Sequence, residues 1–214
     1  GYGLHSQLQP IGVYFAKNRN PDGSIFQPNK ELGLTKANHY VLSYDHSLSD
    51  FLHFKLETYY QQLINVPVSM DPTSTFSILN SEGGYTNEAL DNNGKGRNYG
   101  VELTFEQFLH HDFYFLLSSS VFDSKYRATN GNWYNTRFNG NFATTFTAGK
   151  EIKTGPGFKN RIVGVNIKTI YAGGLRNTPI DLNESELQGE TVYKDDEAYS
   201  LKAKDYFRTD VKFS

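Results

Sequence analysis

Apolar and polar residues alternate along much of the chain, and the most regular run is Lys95 to Tyr126, KGRNYGVELTFEQFLHHDFYFLLSSSVFDSKY. In its first arm Tyr99, Val101, Leu103 and Phe105 fall on one face, and Asn98, Gly100, Glu102, Thr104 and Glu106 on the other. A period of two predicts a strand, because successive side chains point to opposite faces. The second arm sets Phe113, Phe115, Leu117 and Val121 on a matching face, and LHHD between the arms leaves room only for a tight reversal. Each arm exceeds the usual length of a soluble strand but suits a tilted strand that crosses a bilayer and projects beyond it.

The same rhythm extends in both directions. Leu4 to Ala16 reads as a first strand, with Pro10 and Gly12 predicting a bulge that swaps the outward parity from Leu4, Ser6, Leu8 to Ile11, Val13, Phe15. After a polar loop, Lys17 to Gly33, a second tight hairpin is predicted from Asn38 to Leu48 and Phe51 to Leu63. Tyr40, Leu42, Tyr44, Leu52, Phe54 and Leu56 share its apolar face, against His39, Asp45, His53, Lys55 and Glu57. A long loop is expected from Ile64 to Asn93 and a shorter one from Arg127 to Asn135. Arg137 to Lys150 sets Phe138, Phe142 and Phe146 against Asn139, Asn141, Thr145 and Thr147, and Gly155 to Gly157 is predicted to reverse it. Arg161 to Gly173 returns with Val163, Val165, Ile167 and Tyr171 on one side. A third long loop, Gly174 to Lys204, precedes a last strand that sets Phe207, Val211 and Phe213 against Arg208, Asp210 and Lys212.

About eight strands are thus predicted, joined alternately by tight turns and long polar loops, the asymmetry of outer-membrane barrels. The expected fold is all-β: an antiparallel, up-and-down transmembrane β-barrel fragment whose apolar residues face lipid and whose polar residues face a hydrated or plugged lumen. The alternative is a soluble or surface-attached β-sheet module for glycans, which would bury one face beneath a second sheet. A continuous uncovered belt of Phe138, Phe142, Phe146, Phe207 and Phe213 would favour the first. Tyr14, Tyr40, Tyr59, Tyr60, Tyr99 and Tyr126 are expected near strand ends or interfaces.

Composition narrows the classes. Hydrophobic residues make up 37% and are scattered, so no window reaches the roughly 18 consecutive apolar residues of a membrane helix. Aromatics reach 15%, with 15 Tyr and 16 Phe. A formal net charge of -2 offers no field to gather nucleic acid, which is not an expected partner. Zero cysteines exclude a disulfide framework. Gly1 to His5 is strand-like and shows no signal-peptide pattern, and Asp205 to Ser214 is a strand without a closing turn, so the chain reads as an internal piece.

GYGLHSQLQP with VYF, Pro28-Asn29 followed by HYVLSYD, ETYYQQL with NVPV, GKGRNYGVELTFE, SSSVFDSKY, NTRFNGN, YAGGLRNTPIDL, GETVY and DYFRTD run in order over nearly the whole chain. Together they resemble the barrel of TonB-dependent outer-membrane receptors, in the branch that begins with a carboxypeptidase-regulatory-like domain. The resemblance implies a barrel of about 22 strands filled by an N-terminal plug. Residues 1–214 would supply a C-terminal part of its wall, with the plug and the closing strands outside the sequence. It also implies a Gram-negative outer-membrane location, and import of a small ligand (a siderophore, glycan or peptide) with energy from TonB acting on the plug. Partners would be outer-membrane lipid, the plug and the missing strands. No cofactor and no enzymatic activity are implied.

Candidate chemistry is sparse. His110, His111 and Asp112 are adjacent, so strand geometry would point them apart, and a turn role is expected over a metal site. Asp45 and His53 can face each other across a hairpin near Ser43, but no nucleophile-elbow motif accompanies them, and hydrogen bonding within the lumen is expected. Glu102 and Glu106 lie roughly 13 Å apart on one strand face, too wide for a glycosidase pair. Gly173-Gly174 lacks the strand-loop-helix setting of a phosphate cradle and is expected to begin a loop. The ligand-contact candidates are the loop residues Trp133, Tyr134, Arg176, Asn177 and Tyr193, aromatic faces for stacking and a guanidinium for carboxylate or phosphate. Their competing role is to order the loops or complete an aromatic girdle.

Overall fold

The computed structural model describes residues 1–155 and 161–214. In chain order the strands are β1 (Tyr2–Gln7), β2 (Asn18–Arg19), β3 (Ile25–Phe26), β4 (Thr35–Ser49), β5 (Leu52–Ser69), β6 (Leu90–His110) and β7 (Phe113–Arg127). They continue as β8 (Trp133–Asn135), β9 (Phe142–Thr154), β10 (Arg161–Ala172), β11 (Arg176–Asn177), β12 (Leu201–Lys202) and β13 (Tyr206–Phe213). The path β1-β4-β5-β6-β7-β9-β10-β13 forms one meander in which every ladder is antiparallel, with β8 attached to β7. This is the up-and-down order that tight turns dictate, since a short turn can join only antiparallel neighbours. β2-β3 and β11-β12 are two-stranded ribbons. Among the described residues helix is confined to connections: α1 (Ile11–Tyr14), α2 (Leu182–Gln188) and two short 3-10 turns. The meander is open: β1 and β13 are its two edges, and no ladder joins them among the described residues.

The register carries the alternation across the whole sheet. One row passes through His46, Phe54, Phe105, Leu117, Phe146, Thr169 and Thr209; the adjacent row, on the other face, passes through Asp45, Lys55, Thr104, Ser118, Thr145, Ile170 and Arg208. One face is therefore mainly apolar and the other mainly polar, strand after strand. The apolar face is uncovered. Leu42 is 75% exposed, Val121 63% and Phe213 72%, and among the described residues no second large sheet stacks on it. At one end the connections are short: Asp50-Phe51 links β4 to β5, and His111-Asp112, both with positive φ (50° and 60°), links β6 to β7. Two consecutive left-handed residues are what a type I′ hairpin turn requires. Of the predicted Gly155 to Gly157 reversal only Gly155 is described, and the rest lies outside the described residues.

At the other end the long connections fold into a cap with two small cores. Val13, Val66, Ile78 and Leu90 form one; Tyr126, Ala128, Tyr134 and Ala198 form the other, and Leu79 packs against both. Full burial of each large side chain contributes about 1.5–3 kcal/mol. Buried Asn29 ties the first core together: its Nδ2 donates to the carbonyls of Val13 (3.1 Å) and Glu88 (2.9 Å), and its Oδ1 accepts from the Leu90 N–H (2.8 Å).

Four expectations need correction. Leu4 to Ala16 is not one bulged strand: β1 stops at Gln7, and α1 follows Pro10, which cannot donate to a ladder, so Val13 turns into the first core. Gly12 permits this, since a Cβ there would meet the Gly84 carbonyl oxygen at 2.7 Å. The predicted loop from Ile64 to Asn93 is shorter, because β5 runs on to Ser69 and β6 begins at Leu90. Bulges between Leu63 and Val68, with Asn65 at φ 56°, break the parity there and bury Val66 and Val68. The strand expected from Arg137 begins only at Phe142. Phe138 therefore leaves the apolar belt and lines a groove on the polar face beside Tyr59 and Phe122, whereas Phe142, Phe146, Phe207 and Phe213 stand on the apolar face.

The last correction concerns the tyrosines. Tyr40, Tyr60 and Tyr99 join Tyr2 in one row. Tyr59 lies on the polar face, where Gly100 makes space for its ring: a Cβ at Gly100 would come within 2.9 Å of the Tyr59 hydroxyl. Tyr14 sits in α1 and Tyr126 in the cap.

The cap's dependence on Tyr126 is measurable. Its ring is fully buried, and its hydroxyl donates to the Thr75 carbonyl at 2.8 Å. Tyr126→Ala is expected to cost about 3–5 kcal/mol, and Tyr126→Phe about 1 kcal/mol, in denaturant unfolding of the refolded chain.

Candidate ligand-binding site

Two neighbouring clefts open between the long connections. The first, about 430 Å³, is lined by hydroxyls (Ser74, Thr75, Thr178), by the rings of Phe76, Tyr193 and Tyr199, and by Glu88, Arg137, Asn177 and Asp195. Local chemistry positions these groups. Ser69 Oγ donates to Glu88 Oε2 (2.9 Å), and the Arg137 N–H donates to Asn80 Oδ1 (2.8 Å). Arg137 Nε lies 2.9 Å from Glu82 Oε1, an ion pair without hydrogen-bond alignment. Tyr193 is held by an isolated bridge to Ile180. Hydroxyls, carboxylates and an exposed aromatic face in one cleft suit a polyhydroxylated ligand, whose C–H faces stack on rings while its hydroxyls hydrogen-bond at the edge.

The second cleft, also about 430 Å³, lies between β8 and the 195–200 segment and is lined by Trp133, Tyr134, Lys125, Asp196 and Glu197. The five candidates from the sequence are therefore divided. Asn177 and Tyr193 share the first cleft, and Trp133 and Tyr134 the second. Tyr134 is buried against Tyr126 (centroids 5.8 Å apart) and its hydroxyl accepts from Asn130 Nδ2 (2.8 Å), so its ring is a core element of the cap. Arg176 lines neither cleft. Its Nε donates to the Asn139 carbonyl (2.8 Å), its Nη2 to Asn141 Oδ1 (2.9 Å) and its Nη1 to the Ser200 carbonyl (3.4 Å), which fastens three segments together. Trp133 stacks on the Arg97 guanidinium at 4.5 Å.

Arg137, Glu88, Asp195 and Tyr199 were not singled out by sequence pattern. They lie in connections, where no period marks a residue, and their convergence depends on contacts between segments far apart in sequence. On the polar face His53 Nε2 lies 2.7 Å from Asp45 Oδ1, a diagonal contact, since Asp45 stands directly opposite Lys55 and His53 opposite Ser47, and Ser43 stands in register with Glu57. His110 ends β6 and stacks on Phe51 at 3.8 Å, and His111 and Asp112 make the turn; no group of three metal-ligating residues occurs among the described residues. No protein-family model matches the chain, and no curated protein matches it.

Electrostatics distinguish Asp195, in the first cleft, from Asp205, which precedes β13. Burial, reinforced by the carboxylates of Asp196, Glu88 and Asp71, raises the pKa of Asp195. Burial also raises the Tyr199 phenol, with Arg137 opposing. Asp205 behaves oppositely: the Gly174 N–H and then Lys202 hold its carboxyl below the ordinary range.

The signs give a pH prediction. The folded state binds the Asp195 proton more tightly than the unfolded chain, so its contribution is fully present below about pH 4 and is lost as pH rises through the raised value. The Asp205 contribution is present above its ordinary pKa and lost on acidification through the lowered one. Thermal midpoints recorded from about pH 3 to about pH 7 should show Asp195→Asn relieving the loss at the upper end, and Asp205→Asn removing stability there.

Proposed function

We propose that the chain is a segment of barrel wall from a TonB-dependent outer-membrane receptor, with the short turns toward the periplasm and the capped connections outside. One observation carries this reading: the uncovered apolar face ends at an aromatic row beyond which it becomes polar. Tyr2 contacts Tyr40 (5.1 Å between centroids), Tyr40 contacts Tyr60 (6.4 Å), and Tyr99 follows in register. Asp123 stands opposite Tyr99, and farther along the sheet, in rows nearer the short turns, Phe142, Tyr171 and Phe207 form a second aromatic run with contacts at 4.9 and 6.3 Å. The next row on the same face beyond Tyr40, Tyr60 and Tyr99 is Asn38, Gln62, Arg97 and Lys125. Aromatic rings favour the headgroup level, where an apolar body and a polar tip are both satisfied.

The dimensions agree. Phe113 to Val121 spans about 26 Å along β7, or roughly 20 Å of height at the tilt of a barrel strand, against an apolar band of about 25 Å. The polar face would meet the plug or the lumen, with His53, Asp45, Lys55 and Glu57 as exchangeable hydrogen-bond partners. The open edges at β1 and β13 would pair with strands outside residues 1–214, since an unpaired ladder cannot face lipid. The first cleft would then take part in ligand capture, in keeping with its hydroxyls, acids and rings. TonB would act on this wall only through the plug.

Refolding into phosphatidylcholine vesicles tests the reading. The chain should float with the vesicles and require detergent when they are absent. Leu103→Arg, at the middle of the apolar face, should cost about 2–4 kcal/mol of insertion, and Ser120→Arg on the polar face much less. A stable dilute monomer in detergent-free buffer, indifferent to Leu103→Arg, would overturn the assignment in favour of a soluble glycan-binding module.

A further inference from the structure

Immediately beyond the tyrosine row, the apolar side of the sheet carries four cations in two successive cross-strand pairs. Lys95 stands opposite Arg127 and Arg97 opposite Lys125, in unbroken register on β6 and β7. All four share the face of Tyr99, Val101 and Val121, because no bulge interrupts either strand between these positions. Like charges directly opposite each other repel, and two such pairs in a row disfavour this sheet unless an anion lies among them. Protein carboxylates answer only part of the charge. Asp123 is 3.6 Å from Lys125, but it also accepts from Tyr99 (3.1 Å) and Asn139 (2.8 Å). Asp196 and Glu197 approach from the far side of the second cleft, where Glu197 is 3.8 Å from Lys194. Among the described residues Lys95 is exposed and pairs with no carboxylate. Trp133, cross-strand from Arg127, covers the Arg97 guanidinium, whose Nε is buried without a hydrogen-bond partner.

From this placement we infer that Lys95, Arg97, Lys125 and Arg127 form a binding site for the phosphate headgroup of an outer-leaflet lipid. The acyl chains would lie along Val101, Val121 and the apolar rows below. Guanidinium and ammonium groups around one oxyanion make charge-assisted bonds, and at the edge of the apolar band these are less screened than in bulk water. The site commits to lipid because the cations lie directly above an exposed apolar surface of acyl-chain length, which a free anion would leave bare. The inference rests on the membrane reading, and its test keeps the two separable.

Trp133 is the only tryptophan in the chain and reports the site directly. The whole chain in dodecyl maltoside is titrated with phosphatidic acid, and separately with phosphatidylcholine of the same acyl chains, while Trp133 emission is followed. Phosphatidic acid is expected to half-saturate the change at a concentration about tenfold lower, the preference that one or two surface cations confer. Lys95→Gln with Lys125→Gln should abolish the preference while the far-ultraviolet β signal is unchanged, and Lys95→Arg with Lys125→Arg should retain it. Equal responses to the two lipids would overturn the site but leave the membrane reading intact. The same response to inorganic phosphate without lipid would also overturn it, as a free-anion site. Failure of the chain to associate with micelles or vesicles of any lipid is the distinct outcome that removes the membrane reading and the lipid site with it.

Discussion

Register is the constraint on which everything else depends. In a sheet with one apolar and one polar face, sliding any strand by a single residue exchanges its faces, so the ladder from β4 to β13 must hold one phase throughout. Where it holds, Phe54, Phe105, Leu117 and Phe146 fall in one row and Lys55, Thr104, Ser118 and Thr145 in the next. The short reversals lie outside that phase: His111 and Asp112 both adopt left-handed backbone, and register shifts next to the turns, between Gln107 and His110 on β6 and between Ser47 and Ser49 on β4, separate them from the regular ladder.

The connections at the other end solve a different problem. They leave the ladder, so their polar backbone groups need other partners, and asparagine side chains supply many of them. Asn29 binds backbone atoms of Val13, Glu88 and Leu90; Asn139 donates to Asp123 and Asn135 and accepts from the Ser124 N–H. Arg176 adds the Asn139 carbonyl to the same network. Around these bonds the small cores of Val13 and Tyr126 close, so the clefts have packed, hydrogen-bonded walls although they are built from loops.

The boundary between these two regimes concentrates unlike groups within a few residues of each strand. On β6, Val101 belongs to the apolar face, Tyr99 to the aromatic row, and Arg97 and Lys95 to the cationic pairs, all on one side of the sheet. On the membrane reading proposed above, such a gradient along one strand face would follow the passage from hydrocarbon through headgroups to water over about 15 Å.

Much of the fold was legible in residue order because side-chain parity is local: Tyr40, Leu42 and Tyr44, or Phe113, Phe115 and Leu117, declare their face through neighbours two positions away. The strands, their antiparallel order, the tight turn at His111-Asp112 and the Asp45-His53 contact followed from that period. Departures from it were not legible. Val13 leaves the strand pattern for a core made with Val66, Ile78 and Leu90, and the 137–141 segment leaves it for bonds to Asn80, Asp123 and Arg176. Tyr134 and Arg176, plausible ligand contacts by residue type, are committed to Tyr126 and to the Asn139 turn. The cationic pairs likewise exist only once β6 and β7 are in register. Periodicity is written in the chain itself, whereas burial and charge juxtaposition depend on residues far apart in sequence, and only the tertiary structure decides which of them meet.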